Sequence, residues 1–158
     1  MSYKEIFRQS PNVSKTAIRP RGIVLHHTAG GYAGSVAWCL NPSSQVSYHC
    51  IVNTNGDRTD LALTTQRAWH AGKSSFKGQS DCNSFMLGIA VSGDTYKRDL
   101  TPQEIDSVSS WCVEQMKKYG ITIDWVTDHK AISPGRKTDI SPKAFQEIME
   151  AIKQKTTP

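Results

Sequence analysis

The chain contains no apolar run approaching the ~20 residues that a membrane-crossing helix needs, and no internal repeat or low-complexity segment. Its opening, MSYKEIFRQS, has no apolar stretch of the kind that marks a secretory signal, so a substrate outside the cytoplasm calls for delivery by other means. The four cysteines, Cys39, Cys50, Cys82 and Cys112, form no CxxC pair. That spacing argues against a four-thiolate zinc site, which arrives as two close pairs, and the residues read as reduced, mostly buried thiols. Nineteen Lys and Arg against fourteen Asp and Glu leave a net charge of +5, a surplus suited to polyanionic partners. No Lys/Arg-rich block or basic stretch interleaved with aromatics accompanies it, so nucleic-acid binding is not expected.

What is present describes one ordinary globular unit. At 158 residues the chain can fill one core and is too short for two comfortable domains; 37% apolar and 21% charged residues argue against disorder. We therefore expect a single domain over 1–158, with residues 1–20 as an N-terminal arm that Pro11 and Pro20 keep free of regular elements.

GIVLHH (22–27) reads as a strand buried on both faces, followed by a glycine-rich loop and a short helix over SVAWCL. VSYHCIVN (46–53) reads as a second strand. Asn55-Gly56 signals a hairpin that returns antiparallel over 58–63. AWHAG (68–72) and the polar stretch behind it read as a surface loop, and FMLGIAVSG (85–93) as a third apolar strand. Thr101, Pro102 and Glu104 supply a capping box with proline at the first helical position. The helix they open carries Ile105, Val108, Cys112, Met116 and Tyr119 at helical spacing and stops at Gly120. ITIDWV (121–126) reads as a strand, and Ser141-Pro142 opens a last helix with Phe145, Ile148, Met149 and Ile152 on one face. The sum is an α/β fold, a central mixed β-sheet flanked by helices.

Chemistry concentrates around few residues. Alternation along a strand sends His26 and His27 to opposite faces, so only one can enter a given site, and periodicity does not say which. His49, inside an apolar strand, reads first as a hydrogen-bonded structural residue. In DHKAISPGRKTD (128–139) a turn around Pro134-Gly135 can bring His129 and Asp139 together, with Lys137 two residues before the aspartate. A catalytic zinc site takes three nitrogen or oxygen ligands and leaves room for water, and His26, His129 and Asp139 would make such a set. A solvated, charged loop is the plainer reading of the same stretch.

LHHTAG, VSYH, AWHAG and DHKAISPGRKTD occur in the order found in the N-acetylmuramoyl-L-alanine amidase type 2 family, which includes short phage lysozymes and the animal peptidoglycan recognition proteins. The resemblance runs from about Gly22 to Asp139, and its specificity lies in the combination. It implies that the first histidine of the pair, His26, binds Zn²⁺ with His129 and Asp139. It also implies that Lys137 and Tyr48 are catalytic, as in the phage members. Where some bacterial members carry a glutamate base, this chain has Ala90; where many have glycine before the second ligand histidine, it has Asp128. Trp69 and His70 fit the wall of a groove for glycan or stem peptide, with core packing the alternative for Trp69.

The resemblance thus implies a zinc hydrolase that cuts the lactyl–L-alanine amide of peptidoglycan, acting as a monomer on wall or muropeptide. The compact domain further resembles a phage endolysin, made in the cytoplasm and reaching the wall at lysis; a cytoplasmic amidase that recycles wall fragments, or an effector delivered by a secretion machine, would look similar. A non-catalytic peptidoglycan-binding protein of the same fold is the alternative.

Overall fold

The computed structural model describes residues 2–157. Along the chain lie β1 (Glu5–Phe7), β2 (Val13–Ala17), β3 (Gly22–His27), α1 (Tyr32–Leu40), β4 (Cys50–Val52), β5 (Arg58–Asp60) and β6 (Gln66–Ala68). There follow β7 (Ser75–Phe76), β8 (Gln79–Ser80), β9 (Met86–Val91), α2 (Pro102–Tyr119), β10 (Val126–Asp128), α3 (His129–Ile132) and α4 (Pro142–Thr156). The main sheet has the order β1-β5-β4-β9-β3-β10. Only the β4–β5 pair is antiparallel, so the sheet is mixed, and helices cover it.

Parallel strands at the centre of such a sheet are covered on both faces, which is why GIVLHH and MLGIAV are apolar almost throughout. Alternation splits β3 between two cores. Ile23 and Leu25 join Leu87, Ile89, Val108, Trp111, Cys112, Ile148 and Ile152 under α2 and α4. Val24 faces the other way, with Met86 and Ile132. His26 shares the face of Val24, and His27 that of Leu25.

α2 begins as its sequence requires. Thr101 Oγ1 accepts from the Glu104 N–H at 3.1 Å, and a Glu104 carboxylate oxygen accepts from the Thr101 N–H at 3.0 Å. Gly120 ends it in the left-handed conformation at φ 68°. Ser141 caps α4 by accepting from Ala144 N at 3.2 Å.

Several elements depart from expectation. Residues 2–20, the described part of the expected arm, are not without regular structure: β1 pairs in parallel with β5, and β2 pairs antiparallel with β6. Pro11 and Pro20 fall outside both strands, so neither removes a ladder hydrogen bond. The second strand starts only at Cys50, because the amides of Ser47 and His49 donate to Trp69 and Gly88 instead of a regular ladder. Its hairpin partner is confined to Arg58–Asp60. Residues 123–125 form a 3₁₀ turn, leaving Val126–Asp128 as the strand. All four cysteines are free and buried, and burial pushes the Cys39 thiol up to about 12. No described helix is long and apolar enough to cross a membrane.

Candidate metal centre

β10 runs parallel to β3 with Asp128 opposite Leu25. The next residue along each segment is a histidine, His26 still within β3 and His129 at the start of α3, so the two emerge side by side at this end of the sheet. Asp128 gives His129 its direction: its carboxylate accepts from Ala131 N at 2.9 Å and caps the single turn of α3. After that turn the chain reverses through Ser133–Lys137, where the amides of Arg136 and Lys137 both donate to the Ser133 carbonyl. Lys130 N then donates to the Asp139 carbonyl at 2.7 Å, which ties the returning segment to α3.

Asp139, His26 and His129 converge. The two Nδ1 atoms stand 3.1 Å apart; Asp139 Oδ1 is 3.2 Å from His129 Nδ1, and its Oδ2 is 3.5 Å from His26 Nδ1. All three residues are buried, and they form a group able to hold a metal ion. The far side of each ring fixes its tautomer. His129 Nε2 donates to the Ala71 carbonyl at 2.9 Å, and His26 Nε2 faces His70 Nδ1 at 3.0 Å. Both Nδ1 atoms are then bare lone pairs pointing at each other and at a carboxylate.

Electrostatics agree with this reading. Burial, with the neighbouring His129 second, pushes His26 down to about 4, so the ring is neutral near pH 7. Burial raises the cost of the Asp139 charge, which a cation among these three groups would offset. Two imidazoles and one carboxylate within ligand distance of one another match a His₂-carboxylate zinc site in number and donor type. The donor set fits a divalent metal.

The centre opens on a cleft of about 510 Å³. Tyr48, Trp69, Lys137 and Arg136 line it, and Asp139 is the only carboxylate among its lining residues. The Tyr48 ring lies 5.1 Å from the His26 ring, and burial, with the charges of Cys39 and Asp139, raises its phenol further above neutrality. Lys137 is exposed on the rim. Trp69 is half-buried; its indole N–H donates to Ser14 Oγ at 2.8 Å while the ring stays on the cleft wall. His70 reaches the cleft lining but is only 6% exposed, with both ring nitrogens engaged inside the protein.

Ala90 lies directly across from His26 on β9 and is fully buried, so no carboxylate flanks the centre from that strand. His27 turns away from the metal group: Thr95 N–H donates to its Nδ1 at 3.2 Å. His49 accepts from Gly88 N at 3.0 Å and donates to the Gln66 carbonyl at 2.8 Å, a structural histidine. Sequence reasoning missed Asp128 as a cap, although an aspartate before a helical turn is itself a capping signal. It also missed Asn83, which accepts from His70 N across an intervening loop, and Arg136, whose partner Ala71 lies 65 residues away.

The pattern of the N-acetylmuramoyl-L-alanine amidases matches residues 16–142. The chain is 38% identical over 96 residues to a Haemophilus influenzae protein named 1,6-anhydro-N-acetylmuramyl-L-alanine amidase AmpD, covering 60% of this chain and 52% of that protein. It is 28% identical over 139 residues to the Escherichia coli N-acetylmuramoyl-L-alanine amidase AmiD, covering 78% of this chain and 50% of the relative. The chain thus spans about half the length of the curated relatives it matches. A solved AmpD structure superposes with a TM-score of 0.80 at 23% identity, covering 96% of both chains. AmpDh3 of Pseudomonas aeruginosa, solved in complex with anhydromuramic pentapeptide, superposes at 0.74 with 26% identity, over 87% of this chain and 62% of that one. The match extends over most of the chain and includes every segment that builds the centre, and the chain belongs to the N-acetylmuramoyl-L-alanine amidase family.

Proposed function

We propose that the chain is a zinc-dependent amidase that hydrolyses the bond between the muramic-acid lactyl group and L-alanine, acting as a monomer. One observation carries this reading: two bare imidazole nitrogens and a carboxylate face one another at a cleft that His129 and Asp139 line. Such a cluster of lone pairs is repulsive unless a cation sits among them. His26, His129 and Asp139 would hold the zinc, which when bound supplies Lewis-acid activation of water and carbonyl.

The other residues divide the remaining work. The Lys137 ammonium, on the rim of the cleft, stabilises negative charge that develops on the carbonyl oxygen. Tyr48 keeps its proton at neutral pH because burial opposes its ionisation. It therefore orients the attacking water and assists the departing amine by hydrogen bonding and does not serve as a strong base. The Trp69 face offers a flat apolar wall for sugar or peptide, held in place through Ser14. Arg136 and Lys137 favour the carboxylates of a stem peptide.

Two substrates follow from different observations. The endolysin reading makes intact wall the target. The names of the AmpD relatives, and the anhydromuramic pentapeptide bound to AmpDh3, favour soluble anhydro-muropeptide. Incubating the protein with sacculi and, separately, with anhydro-muropeptide, then identifying products by mass spectrometry, tests both. Free L-alanine amino ends together with an intact lactyl carboxylate support the amidase. Binding of either material without any new amine would mean a non-catalytic peptidoglycan-binding protein.

A further inference from the structure

We propose that His70 is a positioning residue that sets the tautomer and direction of His26, and that Asn83 fixes the His70-Ala71 dipeptide so that it backs both histidines of the metal centre. This inference rests on the zinc reading above and adds to it a structural support that no motif for ligands supplies.

The argument starts at a carbonyl. His70 Nε2 lies 2.9 Å from the Met86 carbonyl oxygen, which can only accept, so Nε2 carries the ring's proton. His70 Nδ1 is then an acceptor, and at 3.0 Å from His26 Nε2 it receives the His26 proton. His26 Nδ1 is left bare and aimed at His129 and Asp139. In the opposite tautomer His26 would offer Asp139 an N–H and could not ligate through Nδ1. The run Met86 carbonyl, His70, His26 therefore holds the lone pair where the metal needs it.

The surroundings are shaped for this ring. A Cβ on Gly88 would come within 2.5 Å of His70 Cγ, so the imidazole lies directly against the β9 backbone where only glycine leaves room. His49, whose ring packs edge-on at 5.7 Å, has both nitrogens committed elsewhere and does not compete for His70. The next residue serves the other ligand: the Ala71 carbonyl receives His129 Nε2. Asn83, itself 6% exposed, unites the two, because its Oδ1 accepts from His70 N at 3.1 Å and Ala71 N at 2.8 Å. One side chain thus secures the residues behind both ligands. Partners of this kind orient metal-bound imidazoles, and losing one typically lowers metal affinity by about 10–100-fold.

The test measures zinc affinity of the full chain by competition with a chromophoric chelator. Ring-nitrogen NMR of the chelator-treated protein is recorded alongside. We expect His70→Leu to weaken zinc binding by about 10–100-fold. His70→Asn, which keeps an acceptor near the Nδ1 position, should recover part of that loss, and Asn83→Ala should weaken binding without altering either ring. NMR of the unaltered protein should find His26 and His70 both protonated at Nε2, a readout available even if His70→Leu does not fold. A His26 proton on Nδ1, or a folded His70→Leu that binds zinc as tightly as the unaltered chain, would overturn the proposal. If the unaltered chain itself binds no zinc, the metal reading fails with it, which separates the two outcomes.

Discussion

His26 and His129 bring their Nδ1 atoms to 3.1 Å of each other, and neither atom carries a proton, because each ring's single N–H is donated on its far side. Asp139 completes the triangle, with contacts of 3.2 and 3.5 Å. Three mutually repelling lone-pair donors destabilise the metal-free fold locally and reward a cation. Zinc at a hundredfold excess over its dissociation constant should therefore raise unfolding free energy by about 2.7 kcal/mol. In a domain of this size that is roughly 5–10 °C in melting temperature. Asp139→Asn should abolish most of the shift, whereas Asp139→Cys, which supplies a thiolate ligand, should retain it. Thermal melts with and without zinc check all three proteins.

Lys137→Ala should lower kcat by about 10²–10³-fold while leaving zinc affinity unchanged, since the lysine is assigned to transition-state charge and not to the metal. Tyr48→Phe should also reduce kcat, by about 10²-fold, with little change in KM. A Tyr48→Phe enzyme of full activity would remove the tyrosine from the mechanism.

Acid should weaken the zinc-free fold in a definite window. Burial, opposed only by a hydrogen bond to the Gln66 carbonyl, pushes His49 from 6.5 down to about 4. Between those values the unfolded chain binds the proton that the folded chain refuses, so stability falls as pH drops from ~6.5 to ~4 and levels off below. The loss amounts to roughly 3 kcal/mol from this residue, and His26 acts in the same direction. Urea unfolding of chelator-treated protein at several pH values measures the slope; a flat profile between pH 7 and 4.5 would contradict it.

Glycine positions separate packing from propensity. Gly88→Ala drives a methyl group into the His70 ring and should destabilise the protein by about 1–3 kcal/mol. Gly34→Ala, exposed in α1 with nothing near its Cβ position, should stabilise it by about 0.4–1 kcal/mol. Denaturant midpoints of the two variants should move in opposite directions.

How much of this was legible in the sequence depended on how local the cause was. The capping box of α2, its stop at Gly120, the Ser141 cap and the apolar runs of β3 and β9 are written in a few neighbouring residues, and each could be read directly. The strands β1 and β2 could not, because their short, exposed segments owe their form to β5 and β6 some fifty residues on. The centre divided in the same way. His129 and Asp139 sit in one twelve-residue stretch whose turn suggests their approach. The choice of His26 over His27 needed the family resemblance, and the structure supplies its cause in the register of β3 against β10. Asn83 joined the picture only through its contacts with His70 and Ala71, which no spacing rule connects.

The most direct measurement is zinc add-back. Protein stripped by chelator and dialysed would receive increasing zinc, with release of L-alanine amino ends from a muramoyl peptide followed at each step. The account predicts no cleavage in the stripped protein and activity that rises to a plateau at one zinc per chain. Cleavage that proceeds at full rate in stripped protein, or that never appears at any zinc level while the metal binds, would contradict it.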